Sequence, residues 1–154
     1  MPLAISGAMT AQRDLGPFHS ANLSILSDTA EARRVQEEIE QFLRAHRFSD
    51  HEIFGIKLAL EEALINAIKH GNQMERSKKV HIVYRVQPEN FEIHITDEGP
   101  GFDPNGVPDP TAVENLERPS GRGLMLMRHY MTEVSFNACG NSVRMCKTHR
   151  NGKK

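Results

Sequence analysis

Three stretches of this chain carry side chains whose types and spacing suit phosphate and nucleotide chemistry. The first is Glu61-Glu62-Ala63-Leu64-Ile65-Asn66-Ala67-Ile68-Lys69-His70-Gly71-Asn72. On a helix, Glu62 and Asn66 are neighbours at i and i+4, and Lys69 continues the same stripe. An amide oxygen is a hard ligand of the kind Mg²⁺ prefers beside waters and substrate phosphates. An amine neutralises phosphate charge, and a carboxylate can take a proton from an attacking hydroxyl. The second stretch is Asp97-Glu98-Gly99-Pro100-Gly101-Phe102. Its glycines permit close backbone approach or positive φ, and its Asp could accept a hydrogen bond from an exocyclic amine. The third, Arg118-Pro119-Ser120-Gly121-Arg122-Gly123-Leu124, leads glycines into a helix start. Backbone N–H groups and the positive end of a helix dipole suit an anion there, with Arg118 and Arg122 as added charge. It is neither a Walker A loop nor a dinucleotide fingerprint. Taken singly, the first stretch fits a solvated helix face and the second a strand-ending turn.

The elements that must hold these residues follow from periodicity. Phe18–Leu26 reads as an edge strand. Asp28-x-x-Glu31 has capping-box spacing and opens a helix over about 29–46, with Ala32, Val35, Ile39, Phe42 and Leu43 inward. Ser49-x-x-Glu52 opens a second helix with a stripe of Ile53, Ile56, Leu60, Ala63, Leu64 and Ala67, stopped at Gly71. The period then changes to two. Val80, Ile82, Tyr84 and Val86 alternate with His81, Val83 and Arg85, and Phe91, Ile93 and Ile95 with Glu92, His94 and Thr96, across a Pro88-Glu89-Asn90 turn. Residues 98–123 are rich in Gly and Pro, and so long an irregular segment in a small domain is functional or mobile. Leu124–Tyr130 reads as a short helix, followed by a hairpin of Glu133–Asn137 and Asn141–Thr148. The order predicts an α+β two-layer sandwich, a mixed, mostly antiparallel sheet covered by helices. The expected organisation is a tail over 1–16, one domain over 17–150 and a short tail over 151–154.

Composition narrows the classes. At 154 residues with 38% hydrophobic and 25% charged residues, the chain is one globular domain's worth. A formal charge of −1 disfavours a generally basic nucleic-acid binder. No apolar run reaches membrane-spanning length, and the N-terminal stretch makes a poor signal peptide. Cys139 and Cys146 form no disulfide framework or zinc site, which is the expectation for reduced thiols in a cytoplasmic protein. The eight histidines lack zinc spacing, and His70 reads as a helix-end cap. Met125, Met127 and Met131 read as core or partner-facing fillers.

Together and in this order, the three stretches resemble the N, G1 and G2 boxes of the GHKL ATPase superfamily. The chain length and the Glu62-to-Asn66 form of the first box look most like the RsbW-type anti-sigma-factor serine/threonine kinases, over essentially residues 18–148. The resemblance implies ATP and Mg²⁺ as cofactors. It makes Asn66 the Mg²⁺ ligand, Glu62 the general base, and Lys69 a possible phosphate contact. Asp97 would bind the adenine amine, with Gly99 and Gly101 shaping the purine pocket. Gly121, Arg122, Gly123 and Leu124 would wrap the phosphates through backbone groups, and Arg118 would contact the γ-phosphate. Ser142 stands where the family often has Thr near the adenine. The implied partners are a STAS-domain anti-sigma-factor antagonist as phosphoacceptor, a sigma factor, and a second copy in a homodimer, with no direct nucleic acid or membrane. Two other readings stay open. One is a partner-switching kinase whose output is not a sigma factor. The other is a nucleotide-binding scaffold without transferase activity.

Overall fold

The computed structural model describes residues 19–100 and 119–149. The expected tails, together with Phe18, Gly101 and Arg118, lie outside them. The strands are β1 (His19–Leu26), β2 (Lys79–Val86), β3 (Asn90–Thr96), β4 (Glu133–Phe136) and β5 (Ser142–Thr148). The helices are α1 (Thr29–Ala45), α2 (Asp50–Ile65), a π-helical turn (Asn66–Gly71) and α3 (Pro119–Tyr130).

The sheet runs in the order β1-β2-β3-β5-β4. Every described pair is antiparallel, so the expected parallel component is missing from the ladders. The reason lies in the connections. Between β1 and β2 the chain passes through two helices, an excursion that reverses the returning strand. Among the described residues, α3 lies between β3 and β4, and those two strands run the same way. But β5 inserts between them and pairs antiparallel with both.

One sheet face carries the core. Val80, Ile82, Tyr84 and Val86 of β2, with Phe91, Ile93 and Ile95 of β3, are buried in the alternation that strand geometry demands. Val143 and Met145 extend the layer from β5. The opposite face is polar: Arg144 bonds Glu92 at 2.8 Å and Glu133 at 3.0 Å, and His94 bonds Glu92 at 3.0 Å. Helix α1 buries Ala32, Val35, Ile39 and Leu43, while Phe42 is only partly covered and stacks on His19. Helix α2 is central and buried on several sides, because α1, α3 and the sheet all pack on it. Gly55 permits part of this: an added Cβ there would sit 2.8 Å from the Tyr130 ring.

The two helix starts differ. At Ser49 the reciprocal box forms, with Glu52 N–H donating to Ser49 Oγ at 3.0 Å and Ser49 N–H to Glu52 Oε1 at 2.8 Å. At Asp28 it does not. Asp28 accepts from Ala30 N–H, its own N–H goes to the Leu26 carbonyl, and Glu31 reaches back to Leu26 N–H at 2.9 Å. The strand end supplies the donor that Glu31 takes, so the spacing is right and the partner is different. Replacing Ser49 by Ala is expected to cost about 1 kcal/mol, read as a lowered urea midpoint at unchanged m.

Candidate active site

A cleft opens at one end of the sandwich, between the end of α2 with its π turn and the ends of β3 and β5. Its floor is apolar, from Ala63, Ile95, Met127 and Val143, and its polar groups are Asn66, His70, Asp97, Asn141 and Ser142. An apolar slot with a few convergent polar groups suits a flat heterocycle with defined hydrogen-bonding edges.

The helical wall is not a plain α-helix. From Asn66 the chain closes i→i+5 hydrogen bonds, Asn72 N–H donating to the Ala67 carbonyl at 2.8 Å. A π turn holds one more residue per hydrogen-bonded loop and retards each following side chain around the axis. His70 and Gly71 therefore face the cleft, while Lys69 is exposed and off its lining. The expected Glu62–Asn66–Lys69 stripe breaks after Asn66. Gly71 does not stop the helix after His70 either; it completes the π turn, and the positive φ angles fall on Gln73 and Met74.

Asp97 follows directly on β3. Gly99 N–H donates to its Oδ1 at 2.8 Å. Its main chain is paired to Asn141 in both directions, at 2.9 and 3.1 Å. Burial pushes the carboxyl above the usual aspartate range, against the pull of Gly99 N–H and Lys78. Space explains two glycines. An added Cβ on Gly71 would lie 2.3 Å from Asp97 Oδ2, and one on Gly99 would lie 1.9 Å from the Gly71 carbonyl oxygen. Gly99 is thus required for close approach. Positive φ instead marks Gly140, at 78°, in the β4–β5 turn that presents Asn141. Ser142 lines the cleft and its hydroxyl meets that of Thr96 at 2.7 Å.

Glu62 sits one turn before Asn66, partly buried. Burial first, and neighbouring Glu61 second, push its carboxyl upward. Helix α3 crosses here, and Gly123 is the crossing point: an added Cβ would lie 2.7 Å from Glu62 Oε1 and 3.3 Å from Asn66 Nδ2. The helix begins at Pro119, five residues before the expected Leu124. Gly121 and Arg122 therefore belong to its first turn, whose leading N–H groups are free of the helical ladder. Gly123 and Leu124 stand further in, where i→i−4 bonds occupy the backbone, and Leu124 is buried in the core. The structure thus joins Glu62, Asn66 and Gly123 at one place, and Asp97, Gly99 and Gly71 at another, with the cleft running from Asn66 to Asp97.

The donor set fits a nucleotide with a divalent cation. No described protein group hydrogen-bonds the Asn66 side chain or Asp97 Oδ2, which leaves an amide and a carboxylate oxygen for a ligand. Among the described residues no cluster of three His, Cys, Asp or Glu is placed to hold a metal alone. An ion there would need oxygens from the ligand itself, as Mg²⁺ on phosphates has. Spacing alone assigns no site role to Asn72 or Asn141. Asn72 is fully buried beside the cleft, and its adjacency to Gly71 was the only signal.

The scattered histidines pair otherwise. His149 is buried, stacks on Phe48 and bonds Glu52 at 2.9 Å, and His19 meets His46 at 3.2 Å. Cys139 is exposed and Cys146 buried, and neither is in a disulfide. Among the described residues no helix is long and apolar enough to cross a membrane.

Comparison with known proteins agrees with this fold. Residues 25–147 match the family model of the histidine kinase-like ATPase domain. The serine/threonine-protein kinase BtrW of Bordetella bronchiseptica is 30% identical over 100 residues, covering 64% of this chain and 70% of that protein. The serine-protein kinase RsbW of Bacillus subtilis is 32% identical over 110 residues, covering 67% and 68%. An anti-sigma F factor of Oceanobacillus iheyensis is 36% identical over 102 residues, covering 62% and 69%. In the crystal structure of the RsbU and RsbW domains of Rv1364c from Mycobacterium tuberculosis, the same fold recurs with a TM-score of 0.57 at 16% identity. That match covers 85% of this chain and 32% of the larger one. The chain belongs to the histidine kinase-like ATPase domain family, in its branch of RsbW-type serine/threonine-protein kinases.

Proposed function

We propose that this chain transfers the γ-phosphoryl group of ATP to a Ser or Thr of a STAS-domain anti-sigma-factor antagonist, and that it binds a sigma factor as its alternative partner. The observation that carries this is that Glu62 lies beside Asn66 against Gly123, with Asn66 at one end of a cleft whose other end is Asp97. A scaffold that only holds a nucleotide has no use for a half-buried carboxylate where the phosphates would end.

In this reading Asp97 accepts from the adenine amine, with Gly99 and Gly71 leaving room for the approach, and Ser142 and Asn141 border the ring. Asn66 would hold Mg²⁺, which when bound neutralises phosphate charge. Gly121, with Ser120, offers free N–H groups at the start of α3, where an anion is favoured. Gly123 lets that helix come close to Glu62. Arg122, and Arg118 and Gly101 outside the described residues, keep the phosphate and purine roles the resemblance implies. Lys69, off the cleft, receives none. The acceptor hydroxyl oxygen bonds to the γ-phosphorus as the bond to the β–γ bridging oxygen breaks, ADP leaves, and Glu62 takes the hydroxyl proton. Positioning and charge neutralisation supply the rate.

The test incubates the purified chain with a STAS-domain protein encoded beside it, Mg²⁺ and γ-labelled ATP. Label on a Ser or Thr of that protein is the expected result, with capture of a sigma factor by the unoccupied chain. ATP binding without label would favour the scaffold. Label without sigma-factor capture would favour a partner-switching kinase with another output.

A further inference from the structure

The recognition loop after β3 is anchored by a buried amide that does not itself line the cleft. Asn72 has 0% of its surface exposed. Its Nδ2 donates to Ser27 Oγ and to the Lys79 carbonyl, both at 2.9 Å, and its Oδ1 accepts the Glu98 N–H at 2.8 Å. Its own N–H closes the π turn on Ala67, and Ser27 passes a further hydrogen bond to the Lys78 carbonyl at 2.7 Å. Four segments therefore meet at this one residue, the end of β1, the start of β2 and the loop carrying Asp97 on its side chain and the π turn on its backbone. Both amide hydrogens and the oxygen are engaged.

The register of this contact matters. Gly71 and Asn72 face Asp97 and Glu98 as adjacent pairs. Asn72 holds the Glu98 N–H while the Asp97 carboxylate rests against Gly71, too close for a Cβ between them. Asn141 supports Asp97 from the other side, but through a surface turn. The Asn72 side chain itself is buried, with its bond to Ser27 fully so and those to Lys79 and Glu98 partly so, and an unmade bond on a buried amide is costly.

We propose that Asn72 is the positioning residue for Asp97, fixing the height of that carboxylate in the cleft and so setting the preference for a purine with an exocyclic amine over one with a carbonyl at that position. This rests on the reading of Asp97 as the base-recognition group. A misplacement of about 1 Å is enough to lose such a contact.

The experiment measures ATP and GTP binding by calorimetry, together with Tm, for the parent chain, Asn72→Ala and Ser27→Ala. Ser27→Ala removes the far end of the network and leaves the Glu98 bond in place. Asn72→Ala is expected to weaken ATP binding by about tenfold or more while GTP binding stays at its parental level, so the ATP:GTP ratio collapses. Ser27→Ala is expected to lower Tm and keep the ratio. If Asn72→Ala does not fold, Asn72→Asp serves instead. It keeps the acceptor for Glu98 N–H and is expected to lower Tm yet retain the ratio. A folded Asn72→Ala with the parental ratio overturns the proposal, as does a Ser27→Ala or Asn72→Asp that loses the ratio. Amide exchange supplies an arm independent of nucleotide: the Glu98 amide is slow in the parent, and a fast parental Glu98 amide overturns the proposal outright. Failure of the parent to bind ATP at all sinks the nucleotide reading instead, and it is recognised before any substitution is made.

Discussion

Glu62→Gln binds ATP with the parental affinity and transfers phosphoryl about 10²- to 10⁴-fold more slowly, the contribution of a positioned general base. The substitution is isosteric, so the crossing of α3 at Gly123, 2.7 Å from Glu62 Oε1 for an added Cβ, is undisturbed. What is lost is the proton acceptor. The pH profile gives an independent check. Burial and Glu61 raise the Glu62 pKa, so the carboxylate is still partly protonated at a pH where an exposed glutamate is fully ionised. Only the ionised form accepts the proton, so kcat rises with pH through that raised pKa. This acid limb disappears in the Gln variant. Single-turnover transfer to the acceptor protein at saturating ATP, measured across pH, reads both effects. A Gln variant that keeps the parental rate would show that the proton leaves by another route.

Asp97→Asn is the complementary case, with binding lost and the fold kept. The Asn oxygen still accepts the Gly99 N–H that Asp97 Oδ1 accepts at 2.8 Å, so the turn survives. The other atom becomes an NH₂ donor facing the amine of the base. A hydrogen bond to a charged group is replaced by two opposed donors. The expected loss is about 1.5–3 kcal/mol, or roughly 10- to 100-fold in ATP affinity by calorimetry, with Tm little changed. The sign with pH follows from burial, which raises the Asp97 pKa. As pH falls through that value the carboxyl gains a proton and ceases to be a pure acceptor. ATP affinity in the parent therefore declines on acidification from a higher pH than an ordinary aspartate would dictate, and in the variant it stays low and flat.

Much of this was legible from one dimension. Alternation in β2 and β3 and the stripes of α1 and α2 mark the buried faces, because side-chain direction in regular elements follows from position alone. The Ser49 box is equally local: its two bonds lie within four residues. Asp28 is the instructive contrast. Its spacing is the same, but Glu31 found a donor at the end of β1, and no rule confined to the helix start counts donors outside it. The early start of α3 at Pro119 is a miss of the same kind, since two glycines argue for a loop until helix packing against Glu62 and Asn66 requires the small size of Gly123.

By itself the sequence determined which groups are available for chemistry and their order: a carboxylate and an amide one helical turn apart, an Asp at a strand end, and two glycines in the segment that follows the second loop. Tertiary structure alone decided which of them meet. A π turn, which no propensity announces, removed Lys69 from the stripe and brought in His70 and Gly71. Asn72 and Asn141 became supports of Asp97 only when the Asp97–Glu98 loop settled against the π turn and the β4–β5 turn. Helical and strand periodicities are properties of a few neighbouring residues. The identity of a partner tens of residues away depends instead on how layers pack, where volume and unsatisfied hydrogen-bonding groups select the neighbour.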